Sequence, residues 1–224
     1  MQMEITRELA IKVRNIVDAG LVKGVGVQVP GQMCVEAAVC YAMGLPHSDK
    51  PPCVAPAIRQ LKIQLNDSAW SSDKARGTGM RRLALAQLGS AGVVDGVDFV
   101  RRVVEMTIRR FIPIALRAAA SIHPIMEHKT ALEKASVQCE QAVTLKDCEA
   151  AGWAAGEAGE AADEASEAAG WAGRAAGWAG RAADEATQDK LLSDFAEGVV
   201  QVLIEMKAPG CQWLDLAPID AARE

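Results

Sequence analysis

Residues 147–188 read DCEAAGW AAGEAGE AADEASE AAGWAGR AAGWAGR AADEATQ, six consecutive seven-residue units. After the first unit, alanine fills the first, second and fifth places of each, and the sixth is Gly, Ser or Thr. A strict seven-residue period is slightly under-wound relative to a straight helix, so the stripe predicts one long helix in a left-handed supercoil. Alanine at places one and five reproduces a coiled-coil seam with very small knobs, which lets a second helix approach closely. The interior glycines, among them Gly156, Gly159, Gly170, Gly173, Gly177 and Gly180, each cost about 1 kcal/mol against alanine. Such a helix needs a partner, either the last helix of its own chain or a copy from another subunit. The seam therefore favours a homo-oligomer joined through the 147–188 helix.

One face of this helix carries Trp171, Arg174, Trp178 and Arg181 at spacings of three, four and three. The residues can form a ladder of indoles and guanidinium groups, suited to stacking on bases and holding phosphates. They serve equally well as a packing anchor against another subunit.

Outside the repeat, composition points the same way. Aromatic residues make up only 4% of the 224, and half the residues are apolar, much of that alanine, which favours closely packed helices. Net charge is −5, and the repeat alone holds nine acidic and two basic residues. General DNA binding through overall charge is therefore not expected. The first residues, MQMEITRELA, lack the basic start and apolar run of a signal peptide, and no apolar stretch is long enough to span a bilayer. The six cysteines form no Cys-x-x-Cys pair. These features predict a soluble, cytoplasmic protein with mostly reduced thiols and no membrane partner.

Apolar periodicity predicts helices over about 4–19, 33–43, 54–65, 73–88, 97–117, 125–142 and 189–207. Gly77 and Gly79 weaken the fourth, and Pro113 is expected to kink the fifth. Val25, Val27 and Val29 alternate with Gly and Gln, which favours an extended arm or short strand. The fold class is all-α: a helical core with one long Ala-rich, coiled-coil-like helix packed on a C-terminal helix. The expected divisions are a core over 1–144, the long and C-terminal helices over 145–207, and an irregular tail over 208–224.

Polar chemistry is densest from Gln32 to Asp67. Cys34 and Glu36 begin a helix, where the N-terminal dipole lowers thiol pKa values, and His47 follows in a proline-rich loop. Cys34 with His47 is the thiol-nucleophile arrangement this stretch could support, although papain-like enzymes take their histidine from a distant strand. Cys34, His47 and Cys53 with a carboxylate could meet a metal, but their intervals of 13 and 6 match no common zinc spacing, so neither metal nor cofactor is expected. In the plain structural reading the cysteines are small buried hydrophobes, and Ser48 and Asp49 cap a turn. In the binding reading Glu36, Tyr41, His47, Ser48, Asp49, Arg59 and Asn66 line a ligand site. Arg59 then supplies positive charge, Tyr41 stacks, and Ser48, Asp49 and Asn66 orient the ligand.

Cys34-Val35, Glu36-Ala37, Gly44, Pro46, Ser48-Asp49, Pro52-Cys53 and Asn66-Asp67 resemble a widespread family of phage-borne and actinobacterial proteins. Its members carry the pattern CVxEA, Gly-x-Pro, Ser-Asp-x-Pro, Cys and Asn-Asp. The likeness covers about 35 residues and implies a phage or prophage setting without implying an activity. His47 stands where many relatives carry tryptophan, which argues against a catalytic role for it.

A second basic region pairs Arg102 with Arg109 and Arg110 with Arg117 on shared faces, with Glu105 four residues from both Arg101 and Arg109. It reads either as a self-paired helix face or as an anion site. The overall expectation is a non-enzymatic oligomeric binding protein that holds or sequesters a small anionic, nucleotide-like ligand or a host protein. The alternatives are a thiol-dependent hydrolase using Cys34 and a structural virion or scaffolding component.

Overall fold

The computed structural model describes residues 5–144, 146–148, 150–154 and 185–219. Its order is α1 (Arg7–Asp18), α2 (Val35–Ala42), α3 (Pro56–Asn66), α4 (Asp73–Ala86), α5 (Gly96–Met106), α6 (Ile112–Ile122), α7 (Met126–Gln141) and α8 (Glu185–Glu205). Further helical residues lie at 146–148 and 150–154. Among the described residues there is no β-strand, so the protein is all-α; the expected arm holds only one antiparallel bridge, between Gly26 and Met33. No helix among them is long and apolar enough to cross a membrane. The greater part of the alanine seam, and with it Trp171, Arg174, Trp178 and Arg181, lies outside the described residues.

The chain forms two compact units, residues 1–100 with 189–224 and residues 101–188. This division differs from the expected boundary at 144. The physical reason is α8, whose Ala196, Val199, Val200, Val202 and Leu203 are buried and which returns to the first unit. There Asp189 accepts hydrogen bonds from Ser71, and Arg82 pairs with Glu197 at 2.8 Å.

In the first unit, α1 begins where Thr6 accepts a hydrogen bond from the Leu9 N–H, and it buries Ala10, Val13, Ile16 and Val17. Its partner is α4, capped by Ser72. The two glycines expected to weaken α4 have a packing role instead. A Cβ on Gly77 would fall 2.5 Å from the Val17 carbonyl oxygen, and one on Gly79 would fall 2.4 Å from the Trp70 ring. The tail is likewise more ordered than expected. Pro209–Leu216 form a 3-10 helix, and Arg82 donates to the Ala217 carbonyl at 2.6 Å.

The second unit is built on the antiparallel pair α6 and α7. Leu116, Ala119, Ala120, Leu132, Ala135, Cys139, Ala142, Cys148 and Ala151 form its core. The expected irregularity at Pro113 comes one turn earlier, as a π-helical turn over Thr107–Phe111. Proline has no N–H to offer the preceding turn, and the wider turn places Pro113 at the start of α6, where none is needed.

Candidate functional site

The candidate site lies in the first unit, where α2, α3 and the end of α4 meet. Helix α2 is buried along Val35–Cys40, so Glu36 enters the core with its neighbours and keeps no exposed surface. Helix α3 buries Ile58, Lys62, Leu65 and Asn66, a stripe at helical spacing that carries Lys62 inward. Lys62 Nζ lies 3.4 Å from Glu36 Oε1, and both side chains are 0% exposed. Gln87, just past α4, is fully buried beside them.

The contact between Glu36 and Lys62 is longer than a charge-assisted hydrogen bond, which runs about 2.7–2.9 Å. Both Glu36 oxygens, Lys62 Nζ and both polar atoms of Gln87 lack an aligned hydrogen-bond partner. Gln87 is still near enough to favour the carboxylate's charge. Burial pushes the Glu36 carboxyl up from its ordinary pKa, while the Lys62 ammonium and then the more distant Arg59 pull it back. Burial likewise pushes the Lys62 ammonium down, opposed by Glu36. An ion pair and an amide enclosed together without aligned hydrogen bonds are costly to bury.

Against this cluster lies a cavity of about 90 Å³, lined by Gly24, Val25, Cys34, Val35, Glu36, Asp49, Ile63, Asn66 and Asp67. Water occupies roughly 30 Å³ in the liquid, so the space suits a group of a few heavy atoms. Asn66 holds the wall together. Its Oδ1 accepts from the Val35 N–H at 3.3 Å, and its Nδ2 donates to the Val22 carbonyl and to Asp67 Oδ1, both at 2.9 Å. Asp67 Oδ1 also accepts from the Gly24 N–H at 2.8 Å. That bond positions the glycine turn, in which Gly26 has φ 70° and a Cβ would meet the Gln32 carbonyl.

The structure therefore brings Cys34, Glu36, Asp49 and Asn66 to one wall and leaves the other expected residues elsewhere. Tyr41 is 38% exposed. Ser48 Oγ accepts from the Lys50 N–H at 3.1 Å, a local turn cap of the kind the plain reading expected. Arg59 reaches Glu36 only electrostatically and does not line the cavity. His47 Nε2 meets the Gly26 carbonyl at 3.0 Å, and no hydrogen bond joins its other ring nitrogen to a thiol.

The thiol expectation needs correction. Cys34 is the N-cap of α2 and its Sγ accepts from the Ala37 N–H at 3.4 Å, yet its pKa is raised, because burial outweighs the two backbone N–H groups that favour the thiolate. Burial also raises Cys53, and it raises Cys40 to about 11. Among the described residues, no group of three or more His, Cys, Asp or Glu side chains is placed to hold a metal ion. The basic face is engaged within the chain. Arg101 and Arg109 meet Glu105, and Arg117 meets Glu140.

No family model, curated protein or solved structure matches the chain.

Lys62 and Gln87 are the residues that sequence reasoning passed over. Lys62 had a signal, since it sits four residues after Ile58 and three before Leu65, on the apolar stripe of α3. Gln87 had none beyond its place next to the buried Ala86 and Leu88.

Proposed function

We propose that the protein binds a small ligand through a cationic or hydrogen-bond-donating group seated in the cavity beside Glu36. The observation that carries this reading is the composition of the wall. It holds three carboxylate residues, Glu36, Asp49 and Asp67, and no lysine, arginine or histidine. An anion, which the sequence suggested, would be repelled there, whereas an ammonium or guanidinium group would be attracted. The cavity's size limits the seated part to a head group, with any larger ligand body outside it. Self-association through the 147–188 helix belongs to the same reading and is supported by the alanine seam of the sequence.

The hydrolase reading loses support on two counts: burial disfavours the Cys34 thiolate, and His47 is turned to a backbone carbonyl. The test is calorimetry of the full chain with millimolar methylammonium, guanidinium, acetate and inorganic phosphate. Methylammonium and guanidinium should bind. Asp49→Asn should weaken them about tenfold, the loss of one charge-assisted contact of roughly 1.4 kcal/mol. Binding of acetate or phosphate with no binding of either cation would restore the anion expectation and overturn this one.

A further inference from the structure

We propose that His123 and His128 bind a divalent transition-metal ion of the zinc, nickel and copper class, through His123 Nε2 and His128 Nδ1. The site belongs to the second unit and is independent of the reading given to the cavity beside Glu36.

Five positions separate the two histidines in the sequence. On an unbroken helix, at 3.6 residues per turn, side chains so spaced leave on different sides. Pro124 breaks the helix between them. A residue before proline is driven out of the helical region, and His123 accordingly has φ −72° and ψ 130° and ends α6. Ile125 is also extended, with φ −95° and ψ 120°, and α7 starts at Met126, so His128 stands in its first turn. The reversal brings the imidazoles together. Their ring centres are 5.1 Å apart, with the planes tilted by 36°.

The nitrogens themselves point to a ligand. His123 Nε2 and His128 Nδ1 are both enclosed, and among the described residues neither has a hydrogen-bond partner. Leaving a polar atom in that condition costs free energy, which a bound ion recovers. The spacing suits a shared ion as well. With metal–nitrogen bonds of about 2.0–2.1 Å and tetrahedral angles, two coordinated imidazoles hold their ring centres about 5 Å apart. The χ2 torsion of histidine is broad, so a small rotation of His128 directs its Nδ1 at the ion.

The other ring nitrogen of His123 has the contact a metal ligand requires. Its Nδ1 lies 3.3 Å from the Ile125 carbonyl oxygen and 3.2 Å from the Ile125 backbone nitrogen. Without an ion, Nδ1 can accept from that N–H. With an ion on Nε2, the ring proton sits on Nδ1 and is donated to the carbonyl, the bond that fixes the tautomer of a ligating histidine. The change of tautomer runs through solvent, with no net gain or loss of protons. The positive end of the α7 dipole opposes a cation here, and Glu127 in the same turn offsets it. Imidazole nitrogens select zinc, nickel and copper over magnesium and calcium, which take oxygen ligands. No third His, Cys, Asp or Glu joins the pair among the described residues, so water completes the coordination.

The experiment titrates the full chain, reduced and freed of metal with EDTA, with zinc sulfate, and follows the ring nitrogen NMR signals of its three histidines. The signals of His123 and His128 should shift together and saturate at one zinc per chain, with His47 unmoved. Magnesium should move none of them. His123→Ala and His128→Ala should each weaken zinc binding by more than about tenfold in calorimetry, since even losing the hydrogen bond behind a ligand costs that much. Absence of any shift at millimolar zinc, or a shift of one ring without the other, would overturn the proposal. So would zinc bound with unchanged affinity by both variants, which would place the ion elsewhere, Cys211 being the thiol that is not fully buried.

Discussion

In the unit formed by residues 101–188, Arg117 and Glu140 meet through a two-pronged contact with side chains 47% and 42% exposed. In the unit formed by residues 1–100 and 189–224, Glu36 and Lys62 meet with no exposed surface at all. The core of the former is Leu, Ala and Cys, and its described ion pairs lie outside that core. The latter admits Glu36, Lys62, Asn66, Arg76 and Gln87 to its interior. A surface pair is solvated whether it forms or not and decides little. A buried one must be matched by its partner or it costs the fold several kcal/mol. Function is therefore to be sought where the chain tolerates that cost.

The largest effect should come from dividing the buried pair. Glu36→Gln or Lys62→Met alone leaves one charge unmatched and should cost about 3–5 kcal/mol in urea unfolding. The double replacement should be close to neutral, because it removes both desolvation penalties together. The single variants should also show opposite pH slopes. In Lys62→Met, Glu36 keeps a carboxyl raised above its ordinary 4.5, so the folded state holds more protons than the unfolded one. Stability is then greatest below that value and falls as pH rises through the folded pKa. In Glu36→Gln, Lys62 is depressed below its ordinary 10.5, so stability is greatest above that value and is lost as pH falls through the folded pKa. Parallel slopes in the two variants would show that the pair does not govern them.

A smaller effect, also confined to the first unit, should follow Gly77→Ala. Alanine gains about 1 kcal/mol of helix propensity. Its Cβ would nonetheless fall 2.5 Å from the Val17 carbonyl oxygen, a backbone atom that cannot rotate away. Overpacking of this kind costs about 1–3 kcal/mol, so the variant should unfold at lower urea. A stabilised Gly77→Ala would mean that α1 and α4 do not pack as closely as described.

These two cases also mark what could be read in the sequence. Helix positions were legible from periodicity, and Pro56 and Ser72 sit at the helix starts where their chemistry suits them. The glycines of α4 were legible as weak helix formers but not as contact points, because the atoms they avoid come from Val17 and Trp70, elsewhere in the chain. In the site, Cys34, Glu36, Asp49 and Asn66 could be picked out as a polar cluster, since a span of 33 residues carries them all. The charge of the cavity could not. Arg59, the nearest arginine in sequence to Cys53, lies off the wall, while Lys62, three residues on, points inward and pairs with Glu36. One helical turn decides between those outcomes, and apolar periodicity settles it only if a lysine is allowed on the buried stripe.

Cys34→Ser should change stability little, because serine is a better N-cap than cysteine, although a buried hydroxyl offsets part of that gain. Guanidinium affinity should be unchanged within about twofold. With burial raising the Cys34 pKa, iodoacetamide should label the native thiol far more slowly than a free cysteine at pH 7. Rapid labelling, or esterase turnover that this replacement abolishes, would return Cys34 to the role of nucleophile.

The smallest effect belongs to the surface of the second unit. Hydrogen bonding to Glu140 raises Arg117 above its ordinary value, and the same contact lowers Glu140 below 4.5. A lowered carboxyl contributes stability above its unfolded pKa and loses it as pH falls through the folded one, so any contribution is fully present only above the ordinary 4.5. Both groups are solvated, and salt screens them, so Arg117→Ala should shift the urea midpoint at pH 7 by no more than the error of the measurement. Raising the salt to 1 M should leave wild type and variant alike. The α6 and α7 pairing would then rest on Leu116, Ala120, Leu132 and Cys139 rather than on charge. A clear loss of stability at low salt that disappears at 1 M would show that the second unit depends on its ion pairs too, and the contrast between the units would narrow to one of burial alone.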